Sequence, residues 1–338
     1  MTDETPMARA ERFASQYGLP TPILLSPMAG ACPPELSIAV AQGGGMGAAG
    51  VLTMSPKAIV EWTRAVRSGS NGVFQLNLRV PDPPPVRDPG HESAVRAFLS
   101  DWGPEVPAIV ADAPLQDYDA QLEAVFDAGP AVVSTHMGLL PADYVARLKA
   151  AGVRWFAAAT TVSEARAAEA AGADAVVAQG MEAGGHRVTF EPRSDGAGMV
   201  GLFSLIPAVA DAVAIPVIAA GGIADGRGVA AALTLGASAV QIGTAFLRAP
   251  EAQIPQAWAD GLAEVAPEDT IVTRAFSGRQ ARSLPTAYAR AATAPDAPEP
   301  APYPIQNNLT QAMRAEAART GEPGGLSGPS GHRVQIAR

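Results

Sequence analysis

Eight short apolar runs alternate with alanine-rich amphipathic stretches along most of this 338-residue chain, and that alternation constrains its fold more than anything else. The runs lie at 23–26, 46–49, 73–77, 131–135, 154–159, 173–178, 216–220 and 239–242. Helical patterns separate them at 34–42, 56–67, 121–128, 142–151, 162–171, 202–212 and 226–235. Parallel strands buried on both faces read as continuous hydrophobic runs, and crossover helices must join them. Several helical stretches end in alanine-glycine pairs, Ala128-Gly129, Ala151-Gly152 and Ala171-Gly172, where glycine can take a left-handed cap. Eight such units predict a (β/α)₈ barrel, whose sites lie at the C-terminal ends of its strands.

Two regions break the repeat. Residues 79–118 are proline-rich and predict a long excursion after the third strand, with one helix near 92–99. Beyond Phe246 the pattern turns helical, at 252–265, and then proline-alanine rich at 294–304, before a helix-bearing segment at 304–320. The expected organisation is therefore a TIM barrel over 1–246, a mainly helical substrate cap over 247–300, and a C-terminal segment over 301–338 packing back on the barrel.

The strand ends carry the chemistry. After the sixth strand stands Gln179-Gly-Met-Glu-Ala-Gly-Gly-His186, where Gly184 and Gly185 clear space beside a histidine able to exchange a proton near neutral pH. The alternative is a tight turn followed by a surface histidine. The seventh and eighth strands continue into Ala219-Ala-Gly-Gly222 and Gln241-Ile-Gly-Thr244. Main-chain N–H groups of glycine turns there, with a helix N-terminus, can hold a phosphate on Gly221, Gly222, Gly243 and Thr244. Otherwise the glycines only close tight turns. Ser26-Pro-Met-Ala-Gly30 would present main chain to a flat ring, and the carboxamides of Asn77 and Gln179 suit a pyrimidine-like edge. His136, ending the fourth strand, either lines the pocket or is a satisfied structural histidine. Glu182 orients a neighbour or caps the next helix.

The formal charge of −9 provides no basic face for a phosphate backbone, which speaks against nucleic acid and anionic membranes as partners. No stretch of roughly 18 apolar residues is present, and residues 1–18 lack the apolar core of a signal peptide. A single cysteine, Cys32, leaves no internal disulfide, and no His, Asp or Glu spacing suggests a metal site. A cytoplasmic enzyme is expected.

With these residues in place, the chain resembles the FMN-dependent nitronate monooxygenase family, once called 2-nitropropane dioxygenases. The likeness runs from about Pro22 to Phe246 and returns at Phe276-Ser-Gly-Arg-Gln-Ala-Arg282 and Tyr303-Pro-Ile-Gln306. It implies noncovalent FMN, with phosphate on Gly221, Gly222, Gly243 and Thr244, a ring edge near Met28, Asn77 and Gln179, and Gly184, Gly185 and Gln241 also at the cofactor. It implies that His186 acts on substrate, as base for a nitroalkane or hydrogen-bonding partner for a nitronate. Alkyl nitronate and O₂ would give an aldehyde or ketone and nitrite. Tyr288 and Tyr303 are expected pocket aromatics, and a homodimer is compatible with this reading.

The departures from the family's pattern fall where a cap is expected. Arg187-Val188 stands where the family usually has a residue and then glycine, Ser283-Leu-Pro-Thr-Ala-Tyr288 replaces a stretch leading to asparagine-arginine, and the tail reads Leu326-Ser-Gly-Pro-Ser-Gly331. The alternative function is an FMN-dependent NAD(P)H reductase of a quinone or enoyl thioester on the same scaffold. A flavin-free barrel of the IMP dehydrogenase type needs a cysteine after the sixth strand, and none is there.

Overall fold

The computed structural model describes residues 4–191 and 198–321. Its strands in chain order are β1 (Ile23–Leu25), β2 (Gly47–Gly50), β3 (Phe74–Arg79), β4 (Val132–His136), β5 (Arg154–Ala159), β6 (Ala175–Gln179), β7 (Gly185–His186), β8 (Val217–Ala220), β9 (Ala239–Ile242), β10 (Ile271–Thr273) and β11 (Ala281–Ser283). Eight of them pair in parallel in the order β1-β9-β8-β6-β5-β4-β3-β2, and a parallel bridge between Leu24 and Met46 joins the two ends. The wall is a (β/α)₈ barrel, with each expected strand within two residues of its expected limits.

Strand β3 shows how the pleat divides the labour. Phe74, Leu76 and Leu78 point outward and pack with Ile59, Trp62, Val66 and Val125 of the helical layer. Their alternates Gln75, Asn77 and Arg79 are buried on the inner side, which puts polar groups at the barrel's upper end. The connecting helices start and stop on local signals. Ser55, Asp117 and Thr161 cap helices Pro56–Gly69, Tyr118–Ala128 and Val162–Ala170. Gly129, Gly152 and Gly172 leave their helices in left-handed backbone, with φ of 56°, 73° and 93°.

The N-terminal helix Pro6–Gln16 was not expected from the sequence, because residues 1–18 read as charged and polar. It closes the bottom of the barrel. Phe13 is 1% exposed and packs with Val132, Ala175 and Ala239, which begin β4, β6 and β9. Burying such a ring contributes about 1.5–3 kcal/mol.

The opposite end is covered by a cap drawn from distant parts of the chain. Helix Pro89–Leu99 and the 3₁₀ turn Ala108–Asp112 come from the excursion after β3. Their Val95, Leu99 and Ala111 share one apolar core with Phe276, Tyr288, Ile305, Leu309 and Met313. The cap is mainly helical, through Gln256–Glu264, Ala287–Ala291, Ile305–Leu309 and Gln311–Thr320. It also contains a small sheet in which β11 pairs antiparallel with both β10 and β7. Strands of two or three residues carry no periodicity of their own, so tertiary pairing alone makes them. The tail motif at 326–331 lies outside the described residues.

Candidate active site

At the C-terminal end of the barrel lies a cavity of about 430 Å³, within the usual range of roughly 300–1,000 Å³ for small-molecule sites. Every sequence-predicted barrel residue lines it: Met28, Asn77, His136, Gln179, Gly184, Gly185, His186, Gly221, Gly222, Gln241, Gly243 and Thr244. Ala158, Val177 and Ala220 add apolar wall, while Phe276, Ser277, Asn307 and Arg314 come from the cap.

The glycine turn after β8 is shaped for a group that accepts hydrogen bonds. Gly221 and Gly222 have φ of 110° and 66°, which L side chains rarely adopt. Among the described residues, the N–H groups of Gly222, Ile223 and Ala224 find no acceptor, and all three residues line the cavity. Successive N–H groups of this kind form an anion-binding concavity. The N-terminus of helix Gly226–Thr234 does not share this task. Asp225 Oδ1 already accepts from Arg227 N and Gly228 N, at 3.0 and 3.2 Å.

Two carboxamides keep a hydrogen-bonding group for a ligand edge. Asn77 Nδ2 donates to Ser134 Oγ, while Gln241 Oε1 accepts from Gln75 Nε2. No described residue bonds Asn77 Oδ1 or Gln241 Nε2. Together with the N–H turn, these groups fit a flat heteroaromatic ring that carries a phosphate. Gln179 differs from the expectation. Its Nε2 donates to His186 O at 3.0 Å and its Oε1 accepts from Val188 N at 3.1 Å, so it secures the histidine loop and does not offer its amide to a ring.

His186 itself sits on β7, opposite Ala281 of β11. Its Nε2 is 2.7 Å from Ser277 Oγ, which also accepts from Arg279 N at 3.3 Å. The ring is exposed within an open lumen, although protein atoms crowd around the imidazole. That crowding, followed by the charges of Arg79, Arg279 and Arg314, pushes its pKa down to about 4. Burial, then Arg79, His186 and Arg279, push His136 down to about 3. Both imidazoles are neutral at physiological pH. After His136 the chain turns sharply at Met137, which has a φ of 64°. Left-handed backbone of this kind costs roughly 1–2 kcal/mol in a residue other than glycine. Arg79 and Arg279 flank a single carboxylate, Asp82.

The departure at Arg187 has a structural reason. Its guanidinium is buried and donates to Gln179 O at 2.7 Å, Gly198 O at 2.8 Å and Thr160 O at 3.3 Å. It thereby straps the loop bearing His186 to the barrel. Glu182 caps helix Leu202–Ala210 by accepting from Leu202 N at 2.9 Å. Two expected pocket aromatics are corrected. Tyr288 is 1% exposed and donates to Ala275 O within the cap core, away from the cavity. Tyr303 lines a separate cavity and stacks under the Arg79 guanidinium at 3.8 Å. Ser277, Asn307 and Arg314 were not singled out from the sequence; they lie in a turn, on the five-residue helix Ile305–Leu309 and on the alanine-rich helix Gln311–Thr320, none of which a periodic signal links to the barrel.

A (β/α)₈ barrel with unpaired N–H groups beyond its β8 strand, two carboxamides at a ring-sized wall and a histidine under a cap defines a class: a flavin-dependent barrel oxidoreductase. A sequence model of the nitronate monooxygenase family matches residues 14–336. The chain belongs to that family, whose members use FMN. It is 39% identical to the nitronate monooxygenase of Paraburkholderia phytofirmans, over 100% of this chain and 93% of that protein. It is 38% identical to that of Pseudomonas aeruginosa, over 97% and 95%. Among solved structures, nitroalkane oxidase from Streptomyces ansochromogenes superposes with a TM-score of 0.86 at 37% identity, covering 96% of this chain and 93% of that one. FabK from Thermotoga maritima follows at 0.72 and 29%, covering 98% and 90%. No described helix is long and apolar enough to cross a membrane.

Proposed function

We propose that this enzyme oxidises alkyl nitronates with O₂ to an aldehyde or ketone and nitrite, and that His186 meets the substrate between the barrel rim and the cap. One observation carries the reading: a neutral imidazole, fixed by Ser277, faces a cavity whose described lining has no carboxylate. When bound, FMN supplies the one-electron oxidation of the nitronate and passes electrons on to O₂.

The chain's own residues have simpler tasks. The N–H groups of Gly222, Ile223 and Ala224, with Gly221, Gly243 and Thr244 around them, would hold the phosphate. Asn77 Oδ1 and Gln241 Nε2 would meet the ring edge, and Met28 would lie against the ring. Gly184 and Gly185 leave room, and Gln179 and Arg187 keep the His186 strap in register. Ser277 orients the imidazole, which at a pKa of about 4 is a hydrogen-bonding partner and only a weak base. His136 lines the pocket in its neutral form. The cap works as one unit that includes 89–112 as well as residues beyond 246, which revises the expected division of the chain. A cytoplasmic location and a homodimer complete the proposal, supported by the buried free thiol of Cys32 and by exposed Phe203 and Ile109.

The test is nitrite release from an alkyl nitronate under air, set beside anaerobic mixing with NADPH. Nitrite formation with a flavin left oxidised by NADPH is the expected pair of results. Rapid bleaching by NADPH without nitrite formation would assign the cavity to reductase chemistry instead.

A further inference from the structure

Among the described residues that line the main cavity, a single one carries a full charge at neutral pH, and it is Arg314. No aspartate, glutamate or lysine shares that wall. Arg314 stands on helix Gln311–Thr320, whose Met313 and Ala317 are buried. Its Nη2 donates to Asn307 O at 2.9 Å and to Asn307 Oδ1 at 3.0 Å. Its Nε is buried and has no partner, and no described carboxylate lies within ion-pair distance.

Four other arginines are treated differently, three of them buried and Arg282, like Arg314, half-buried. Arg79 and Arg279 sit against Asp82, Arg187 is spread over three carbonyls, and Arg282 is held by Met181 O and Thr270 Oγ1. Arg314 alone among them faces the main cavity, and it is bonded to one asparagine. A guanidinium partly removed from water without a counter-ion is unfavourable, and an anion entering the cavity relieves it. A nitronate presents its charge on two oxygens of one planar group, as a carboxylate does. A guanidinium matches that pair in a fork that a lysine or an imidazole cannot form.

We propose that Arg314 is the residue that recognises the negative charge of the nitronate, and so selects the anion over the neutral nitroalkane, while His186 contributes a hydrogen bond. The proposal rests on the nitronate reading of this cavity and adds the residue that sets its charge preference. The depressed pKa of His186 agrees with it, because a neutral imidazole leaves the substrate's charge to another group. The cation is also attached to the cap, next to Asn307 and within electrostatic reach of His186, whereas the proposed phosphate turn belongs to the barrel.

The experiment uses the FMN-loaded enzyme and two variants, Arg314→Met and Asn307→Asp. The second leaves the arginine in place and neutralises it with an adjacent carboxylate. Each variant should keep its flavin, raise KM for ethyl nitronate by about 10- to 100-fold, the range for losing one charged hydrogen-bonded pair, and change kcat less. Sodium nitrite, titrated as an anionic probe through its perturbation of the flavin absorbance, should weaken by a similar factor, with Arg314→Lys recovering part of the loss. Unchanged KM and unchanged nitrite affinity in flavin-replete Arg314→Met would overturn the assignment. So would loss of flavin from that variant, which would make the arginine a cofactor ligand. If the wild-type enzyme released no nitrite from nitronate, the functional reading would fail; weaker probe binding in the variants would still support the anion site.

Discussion

The barrel rim and the cap meet across one cavity and are built on opposite principles. The rim is uncharged main chain and carboxamide: Gly221, Gly222, Asn77, Gln241 and Gly243, set at strand ends of one hydrogen-bonded wall. The cap half is side-chain chemistry: His186, Ser277, Asn307 and Arg314, held together by loops and a three-stranded sheet of very short strands. A wall of parallel strands fixes backbone positions without help, so it can hold a cofactor on N–H groups alone. Loops have no such scaffold, and here they borrow one from buried arginines, with Arg187 on three carbonyls and Arg79 and Arg279 beside Asp82. The difference implies a division of work, with cofactor retention on the rim and substrate selection on the cap.

The largest test of that division is Gly222→Asp, which sets a carboxylate in the N–H turn. Flavin retention should be abolished, read as loss of the visible flavin absorbance of the purified protein. Asparagine has the same shape and tolerates left-handed backbone, so Gly222→Asn should retain more flavin than the aspartate. Equal loss in both variants would mean that shape, and not charge, governs the turn. On the other side of the cavity, His186→Ala should keep the full flavin spectrum and lose about 10²- to 10⁴-fold in kcat, the span of positioned acid-base or hydrogen-bonding groups. A variant that kept its flavin and released nitrite at the wild-type rate would remove His186 from the reaction.

The same contrast explains what could be read from the sequence. The barrel was legible because eight units repeat one pattern: β-branched and small apolar residues in short runs, then a helix and a capping glycine. The rim residues followed, since they sit at strand ends that the pattern locates. His186 was found through its glycines. Its surroundings were not, because Ser277 and Arg314 lie 91 and 128 positions away along the chain, at residues 277 and 314, and no local periodicity brings them to residue 186. The N-terminal helix was hidden by its charged outer face, although Phe13 is buried within it. Tyr288 and Tyr303 were misplaced for a related reason: an aromatic in a loop-rich cap reads the same whether it fills the cap's core, stacks on Arg79 or faces substrate.

The neutral histidines give the comparison a pH signature. Burial and the guanidinium charges lower the folded-state pKa of His186 to about 4 and of His136 to about 3. Below the ordinary value of about 6.5 the unfolded chain therefore takes up protons that the folded chain refuses. Stability should be insensitive to these groups above that pH, fall as pH drops from about 6.5, and stop falling on their account below about 4 for His186 and about 3 for His136. His136→Asn should flatten the dependence by at most about 1.4 kcal/mol per pH unit, the value for one proton. Denaturant midpoints measured from about pH 7 down to about pH 4.5, inside that window, would show it. An unchanged slope would mean that His136 titrates in the folded protein as it does in water.

The smallest effect falls on Tyr288, and it separates the core of the cap from its working face. The hydroxyl donates to Ala275 O at 2.8 Å and receives Gln306 Nε2 at 3.4 Å, while Gln306 independently donates to Ala275 O at 2.6 Å. Tyr288→Phe therefore leaves the carbonyl covered and keeps the ring against Phe276 and Trp102. The expected cost is about 1 kcal/mol of stability, one ordinary hydrogen bond. Flavin content, kcat and the KM for nitronate should all stay within about twofold of wild type, because Phe276 lines the cavity and Tyr288, packed against it, does not. A tenfold change in KM with stability intact would place Tyr288 at the substrate, and the line drawn between cap core and cap face would have to move.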